Sequence, residues 1–234
     1  MSEEVAKAGD NSLLAVAGEA AAMQKFDEKD FGLVASVGDW LPYLMIGTAN
    51  SDPVNSGKLP LAHFAVISNK ELTDFGKTMH CWALAWRPKA MDFTGDMPLS
   101  FFDPKSEIFN KIKTESFVPN SSKMYGPEYL VYIPGFGFCT LFMGSKTARN
   151  EAKNIQAALP NPKEGKNAQP LTLTGKFIDN GTYKWWAIVA AISTQEIETP
   201  DPEEFKEQVT KFLNPKDSTI PVAAPAGAKT DDRG

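Results

Sequence analysis

The sequence predicts an α+β domain built on an antiparallel sheet, an OB-like barrel or a curved sheet of about seven strands with interspersed helices. Three observations carry that expectation. Apolar runs of strand length, several of them alternating between two faces, recur along the chain between turn-forming residues. Two junctions, Pro134-Gly135 and Asn180-Gly181, have the chemistry of tight hairpins. The helical segments are few and do not alternate with strands as a doubly wound sheet requires.

In chain order, residues 1–35 read as an acidic arm, with a short helix over Leu13–Ala21 as its one candidate element. A single domain follows over 36–214. Residues 40–47 (WLPYLMIG) and 61–68 (LAHFAVIS) are strands, joined by the polar loop 50–57, and 69–78 is a turn-rich connection. Met79–Trp86 alternates, with His80, Trp82, Leu84 and Trp86 on one face and Met79, Cys81, Ala83 and Ala85 on the other. Arg87-Pro88-Lys89 ends this strand. A short helix spans 106–114, and 116–123 is a polar loop.

Residues 125–153 are the centre of the chain. Strand Tyr129–Ile133 turns at Pro134-Gly135, where proline supplies φ near −65° and glycine a positive φ, into strand Phe136–Phe142. Gly144 breaks the strand, Ser145 or Thr147 caps a helix reaching Leu159, and Pro160-Asn161-Pro162 stops it. A polar linker (163–169) leads to a second hairpin, 171–178 and 182–192. Residues 200–214 form a C-terminal helix with Phe205, Val209, Phe212 and Leu213 as its packing stripe. Residues 215–234, rich in Pro, Ala and Gly, are expected to be a disordered tail.

Composition bounds the function. The two cysteines, Cys81 and Cys139, sit in apolar runs, which favours buried free thiols over a disulfide framework. The N-terminus is acidic and lacks a signal-peptide pattern, and the Ala-rich stretch 13–22 is too short to span a bilayer, so a soluble cytoplasmic protein is expected. The net charge of −5 is uneven: −5 over 1–65, +4 over 66–190 and −4 over 191–234. A basic centre between acidic flanks suits a polyanion binder, and equally a chain with chance unevenness.

The catalytic signatures are weak. Gly144-Ser145-Lys146-Thr147 follows a strand and precedes a helix, but Ser145 separates glycine from lysine and the preceding residues are strand, so it is not a Walker A loop. Two histidines, His63 and His80, and two separated cysteines offer no metal-ligand spacing, and no cofactor is expected. Asp92, Asp96, Asp103 and Glu128 leave a magnesium-dependent nuclease as the enzyme reading. No nucleophile elbow supports serine hydrolase chemistry.

Aromatic and basic residues make the alternative. Lys146, Arg149 and Lys153 share one helical face, which either contacts a phosphate backbone or merely faces water. Arg87, Lys89, Lys176 and Lys184 edge aromatic strands. Trp185 and Trp186 are strand neighbours and point oppositely, so one of them needs an outer layer or a ligand.

These aromatic-basic strands, the Asn180-Gly181 hairpin, the acidic outer segments and the tail together resemble bacteriophage-type single-stranded DNA-binding proteins with an OB-like domain, over roughly residues 40–192. The resemblance implies non-catalytic binding of single-stranded DNA, or of RNA, in replication or recombination. Trp86, Tyr132 and Trp185 or Trp186 would stack on bases, and Arg87, Lys89, Lys146, Arg149, Lys153, Lys176 and Lys184 would hold phosphates. Replication proteins and further copies of the chain are the implied partners. The C-terminus departs from the pattern, ending Thr230-Asp231-Asp232-Arg233-Gly234 instead of in a dense acidic run with an aromatic tip. A structural or protein-interaction module, such as a virion or assembly component, would use the same aromatic surface for self-association.

Overall fold

A computed structural model describes residues 41–49, 51–68, 71–94, 98–179, 181 and 184–214. The arm over 1–35 with its helix, Asp96 and the tail over 215–234 lie outside them. Nine strands form one sheet: β1 (Tyr43–Ile46), β2 (Phe64–Ser68), β3 (Glu71–Gly76), β4 (Thr78–Asp92), β5 (Leu99–Phe101), β6 (Lys123–Ile133), β7 (Gly137–Phe142), β8 (Pro170–Asp179) and β9 (Lys184–Ile192). Among the described residues four α-helices accompany it: the single turn α1 (Asp52–Asn55), α2 (Glu107–Glu115), α3 (Lys146–Ala158) and α4 (Pro202–Leu213). The strand order is β3-β2-β1-β7-β6-β4-β8-β9, with β5 on β4. Every pairing is antiparallel except β1 with β7.

The mixed α+β class stands, but the sheet is not closed. Its outer strands are β3 and β9, and among the described residues no ladder joins them. The sheet does curl: Gly175 on β8 approaches Ile46 on β1 so closely that a Cβ there would lie 2.9 Å from Ile46 Cδ1. The ring of Phe75 on β3 meets that of Phe136 in the β6–β7 turn edge to face at 5.7 Å. That turn has the expected form, with Gly135 at φ 75° and Phe136 N–H donating to the Ile133 carbonyl at 3.0 Å.

Two expectations about β4 change. The strand runs through Arg87-Pro88-Lys89 to Asp92 instead of ending there. Pro88 lies opposite Pro127, whose carbonyl turns away from β4 to accept from Met143 N–H at 2.9 Å. The two prolines thus form a non-hydrogen-bonded pair, the one position where a ladder does not need their missing N–H groups. A bulge between Ala83 and Ala85 also reverses the alternation. Trp82 therefore shares the face of Tyr132, whereas Trp86, opposite Tyr129, points to the other side. The segment 71–76, expected as a connection, is β3, and β5 was not anticipated.

Each sheet face is covered. On one, α3 packs Ala152, Ile155 and Ala158 against Val131, Leu141 and Ile188, and Tyr129 donates its hydroxyl to the Ala152 carbonyl at 3.0 Å. Beside it α2 buries Phe109 and Ile112 against Ala90 and Phe101. On the other, α4 lays its predicted stripe of Phe205, Val209, Phe212 and Leu213 on Leu84, Leu130, Tyr132 and Phe138. Caps fix the helix starts: Ser106, Ser145 and Asp201 accept from Phe109, Ala148 and Glu203 amides at 3.1, 3.1 and 3.0 Å. Cys81 and Cys139 are both buried and free. No helix among the described residues is long and apolar enough to cross a membrane.

Candidate nucleic-acid interface

The residues expected to contact nucleic acid do not converge on one surface. Arg87 and Lys89 are buried, at 9% and 7% exposure, on the α4 face of the sheet. Both are committed to Glu128, directly across on β6 and 1% exposed. Arg87 Nε and Nη2 reach Glu128 Oε2 at 2.8 and 2.7 Å, and Lys89 Nζ donates to Oε1 at 2.6 Å. The guanidinium stacks on Phe102 at 3.9 Å and Phe212 at 4.3 Å, and Arg87 Nη1 donates to the Phe212 carbonyl in the last turn of α4. Lys89 lies over Phe142 at 5.4 Å. Burial pushes the Glu128 carboxyl up, but Lys89 and Arg87 outweigh it and hold the group below its ordinary value of 4.5. The expectation that Arg87 and Lys89 hold phosphates is corrected on this ground: a sealed carboxylate and three aromatic rings occupy the space a phosphate needs.

Tyr132 is likewise displaced from the candidate surface. It is 9% exposed, packs on Phe138 at 5.2 Å between centroids, and faces α4. Burial, then the charges of Glu198 and Glu204, raise its hydroxyl pKa. A base cannot stack on a ring so covered. Arg149 is partly committed: its Nη1 donates to the Tyr125 carbonyl at 2.7 Å and its guanidinium lies 4.6 Å from the ring centre of Phe117. Lys153, on the same helix, is exposed. Lys146 opens α3, and its side chain lies outside the described residues.

What does cluster is the β8–β9 hairpin. The β4–β8 ladder ends at Thr78 opposite Thr174, so beyond it β8 and β9 pair only with each other. Phe177 lies opposite Trp186, with ring centres 5.4 Å apart and planes tilted by 54°. Phe177 is 49% exposed and Trp186 is half-buried. Alternation places Lys184 on their face, where its ammonium meets Asp179 at 3.2 Å with both side chains exposed. Lys176, Ile178 and half-buried Trp185 share the opposite face. The two tryptophans thus do point oppositely. Asp179 Oδ1 accepts from Gly181 N–H at 2.9 Å, and Gly181 has φ 84°. Asn180 and Tyr183 lie outside the described residues.

Sequence reasoning missed Phe177. A two-residue Asn-Gly turn would set Phe177 opposite Lys184; the pairing of Asp179 with Lys184 leaves a four-residue connection, 180–183, which sets Phe177 opposite Trp186 instead. Trp86 is 39% exposed but belongs elsewhere. From the Thr78–Thr174 pair, Trp86 and Phe177 lie in opposite directions, about 35 Å apart at ordinary strand rise.

The nuclease carboxylates also fail to meet. Glu128 is sealed, and Asp92 accepts from Lys123 Nζ at 2.7 Å and from Thr94. Glu128 lies across from Arg87, and Asp92 lies five residues further along β4, about 17 Å away at ordinary strand rise. Among the described residues no group of three or more His, Cys, Asp or Glu side chains could hold a metal ion. His63 Nδ1 lies 2.9 Å from Asp74 Oδ2, and His80 Nδ1 lies 3.1 Å from Thr172 Oγ1.

Compared with known proteins, the chain matches no family model, no curated protein and no solved structure.

Proposed function

We propose that the chain binds single-stranded nucleic acid, DNA in the first instance, through the β8–β9 hairpin, with little sequence preference and without chemistry. The observation that carries the reading is the Phe177–Trp186 pair, half-exposed beside Lys184 on a ribbon that extends past the β4 ladder. An exposed ring offers a face to any base, and such stacking is worth about 1–3 kcal/mol per base. Lys184 and, on the other side, Lys176 supply charge for flanking phosphates. The ribbon needs no cleft, because an extended strand can lie along it. Replication and recombination expose such strands, and proteins of those processes are the partners this reading suggests.

A structural or protein-interaction module is the second reading. It is favoured by the internal commitment of Arg87, Lys89 and Arg149, which removes three of the cations a polyanion binder would use. Salt separates the two, since contact with phosphates releases counterions and apolar docking does not. Titrating oligo-dT into micromolar protein at low salt should quench tryptophan fluorescence, and raising the salt should reverse it. Absence of quenching at low salt would remove the nucleic-acid reading and leave the second.

A further inference from the structure

The two faces of the sheet differ in charge. On the face covered by α2 and α3, Lys123 is taken up by Asp92 and Glu115. That leaves Lys105, Lys111, Lys113 and Lys153, with Arg149 held by the Tyr125 carbonyl, against Asp103, Glu107 and Glu151. On the opposite face, residues 194–207, the approach to α4 and its first half, carry six acidic side chains and one basic, and of the six Glu207 pairs with Lys211 one turn on at 2.6 Å. All six, Glu196, Glu198, Asp201, Glu203, Glu204 and Glu207, are exposed. The faces are opposite because Tyr125 and Tyr129 meet α2 and α3 while Glu128, between them on β6, meets Arg87 under Phe212.

The basic side also carries an apolar tip. Phe117 and Val118 are 61% and 58% exposed, and Phe93, whose amide donates to the Ser122 carbonyl at 2.9 Å, is 40% exposed. This tip is held in place. Phe117 and Val118 amides donate to the Thr114 and Glu115 carbonyls at 3.3 and 3.1 Å, and Arg149 stacks on the Phe117 ring. A hydrophobic group that is both exposed and fixed loses little freedom on docking, which is the character of an interface anchor.

We propose that the chain associates head to tail with a second copy of itself, the α2–α3 face and Phe117–Val118 tip of one seated on the acidic 194–207 face of the next. A copy is the occupant because each molecule presents both halves of the charge match. Like-to-like pairing is disfavoured, since it would set acidic face against acidic face or basic face against basic face. The interface is heterologous, so association does not stop at a dimer. The proposal uses neither the Phe177–Trp186 pair nor Lys184 and does not depend on nucleic-acid binding.

Sedimentation velocity on the full chain tests it, with two variants. One replaces Glu196, Glu198 and Glu203 by Lys; the other is Phe117→Asp with Val118→Asp, backed by the milder Phe117→Ser should the double variant not fold. The unaltered chain should gain mass with concentration at about 50 mM salt and return to monomer at about 500 mM, where screening shortens to a few ångströms. Each variant alone should stay monomeric. Mixed, they should form one-to-one pairs and nothing larger, because each retains the half the other has lost. A monomeric unaltered chain at low salt, or a mixture that stays monomeric, would overturn the proposal. So would a dimer that neither variant disturbs.

Discussion

Replacing Glu128 with alanine tests the reading of Arg87 and Lys89 as structural. Glu128 is 1% exposed, and its two oxygens serve both cations at 2.6–2.8 Å. Removing the carboxylate leaves a guanidinium and an ammonium facing one another in a space lined by Phe102, Phe142 and Phe212. Loss of one partner from a buried pair costs about 3–5 kcal/mol, because the surviving charge stays desolvated. Here two charges survive, although the Phe212 carbonyl and the aromatic faces still hold Arg87, so the middle of that range is expected. With a urea m-value of about 3 kcal/mol per molar, the midpoint should fall by roughly 1–1.5 M. The assay is urea unfolding followed by tryptophan fluorescence and far-UV circular dichroism together. A midpoint shift below about 0.3 M would refute the reasoning, since it would mean that water already reaches these groups. Removing one of the two surviving charges with Lys89→Met in the same background should recover part of the loss.

Three further outcomes follow from the same geometry. Gly126→Ala would place a Cβ 2.2 Å from the Met143 carbonyl oxygen, a backbone atom that cannot step aside, and should lower the melting temperature by about 6 °C or more. Acid should unfold the chain as pH falls below the ordinary carboxylate range. Glu128, Asp92 and Asp74 all have lowered pKa values, so each contributes stability that is complete above its unfolded value and is lost as pH drops through the folded one; circular dichroism against pH shows the window, and Glu128→Gln should flatten it. Burial pushes the Cys81 thiol up to about 12, and Cys139 is raised by burial and by Cys81, so an aromatic disulfide reagent at pH 8 should label neither thiol until urea is added.

Local chemistry was legible in the sequence, and long-range geometry was not. Pro134-Gly135, the Ser145 cap and the Phe205–Val209–Phe212–Leu213 stripe each depend on residues within a few positions of each other, so each could be read directly. Sheet order could not, because the parallel pairing of β1 with β7 joins residues almost a hundred positions apart. The fate of Arg87 and Lys89 depended on two facts with no local signature. Proline lying opposite proline lets β4 continue past them, and that continuation brings Glu128 across from Arg87. A strand expected to end at Arg87 leaves both cations at a surface; a strand that runs on buries them. The bulge at Ala83–Ala85 had a similar effect on the aromatics, since one extra residue sends Trp82 and Trp86 to opposite faces.

The central claim is that nucleic acid meets the β8–β9 ribbon and not the cations of β4. Fluorescence anisotropy of labelled oligo-dT, measured from about 20 to 200 mM salt, tests it on the unaltered chain and on Phe177→Ala, Lys184→Gln and Lys89→Gln. With Lys176 and Lys184 neutralising about two phosphates, the logarithm of the binding constant should fall with the logarithm of salt at a slope near −1.4. Lys184→Gln should bring that slope to about −0.7, Phe177→Ala should weaken binding about 5-fold or more at unchanged slope, and Lys89→Gln should leave the slope as it was. A slope that responds to Lys89 and ignores Lys184, or affinity indifferent to Phe177, would contradict the account.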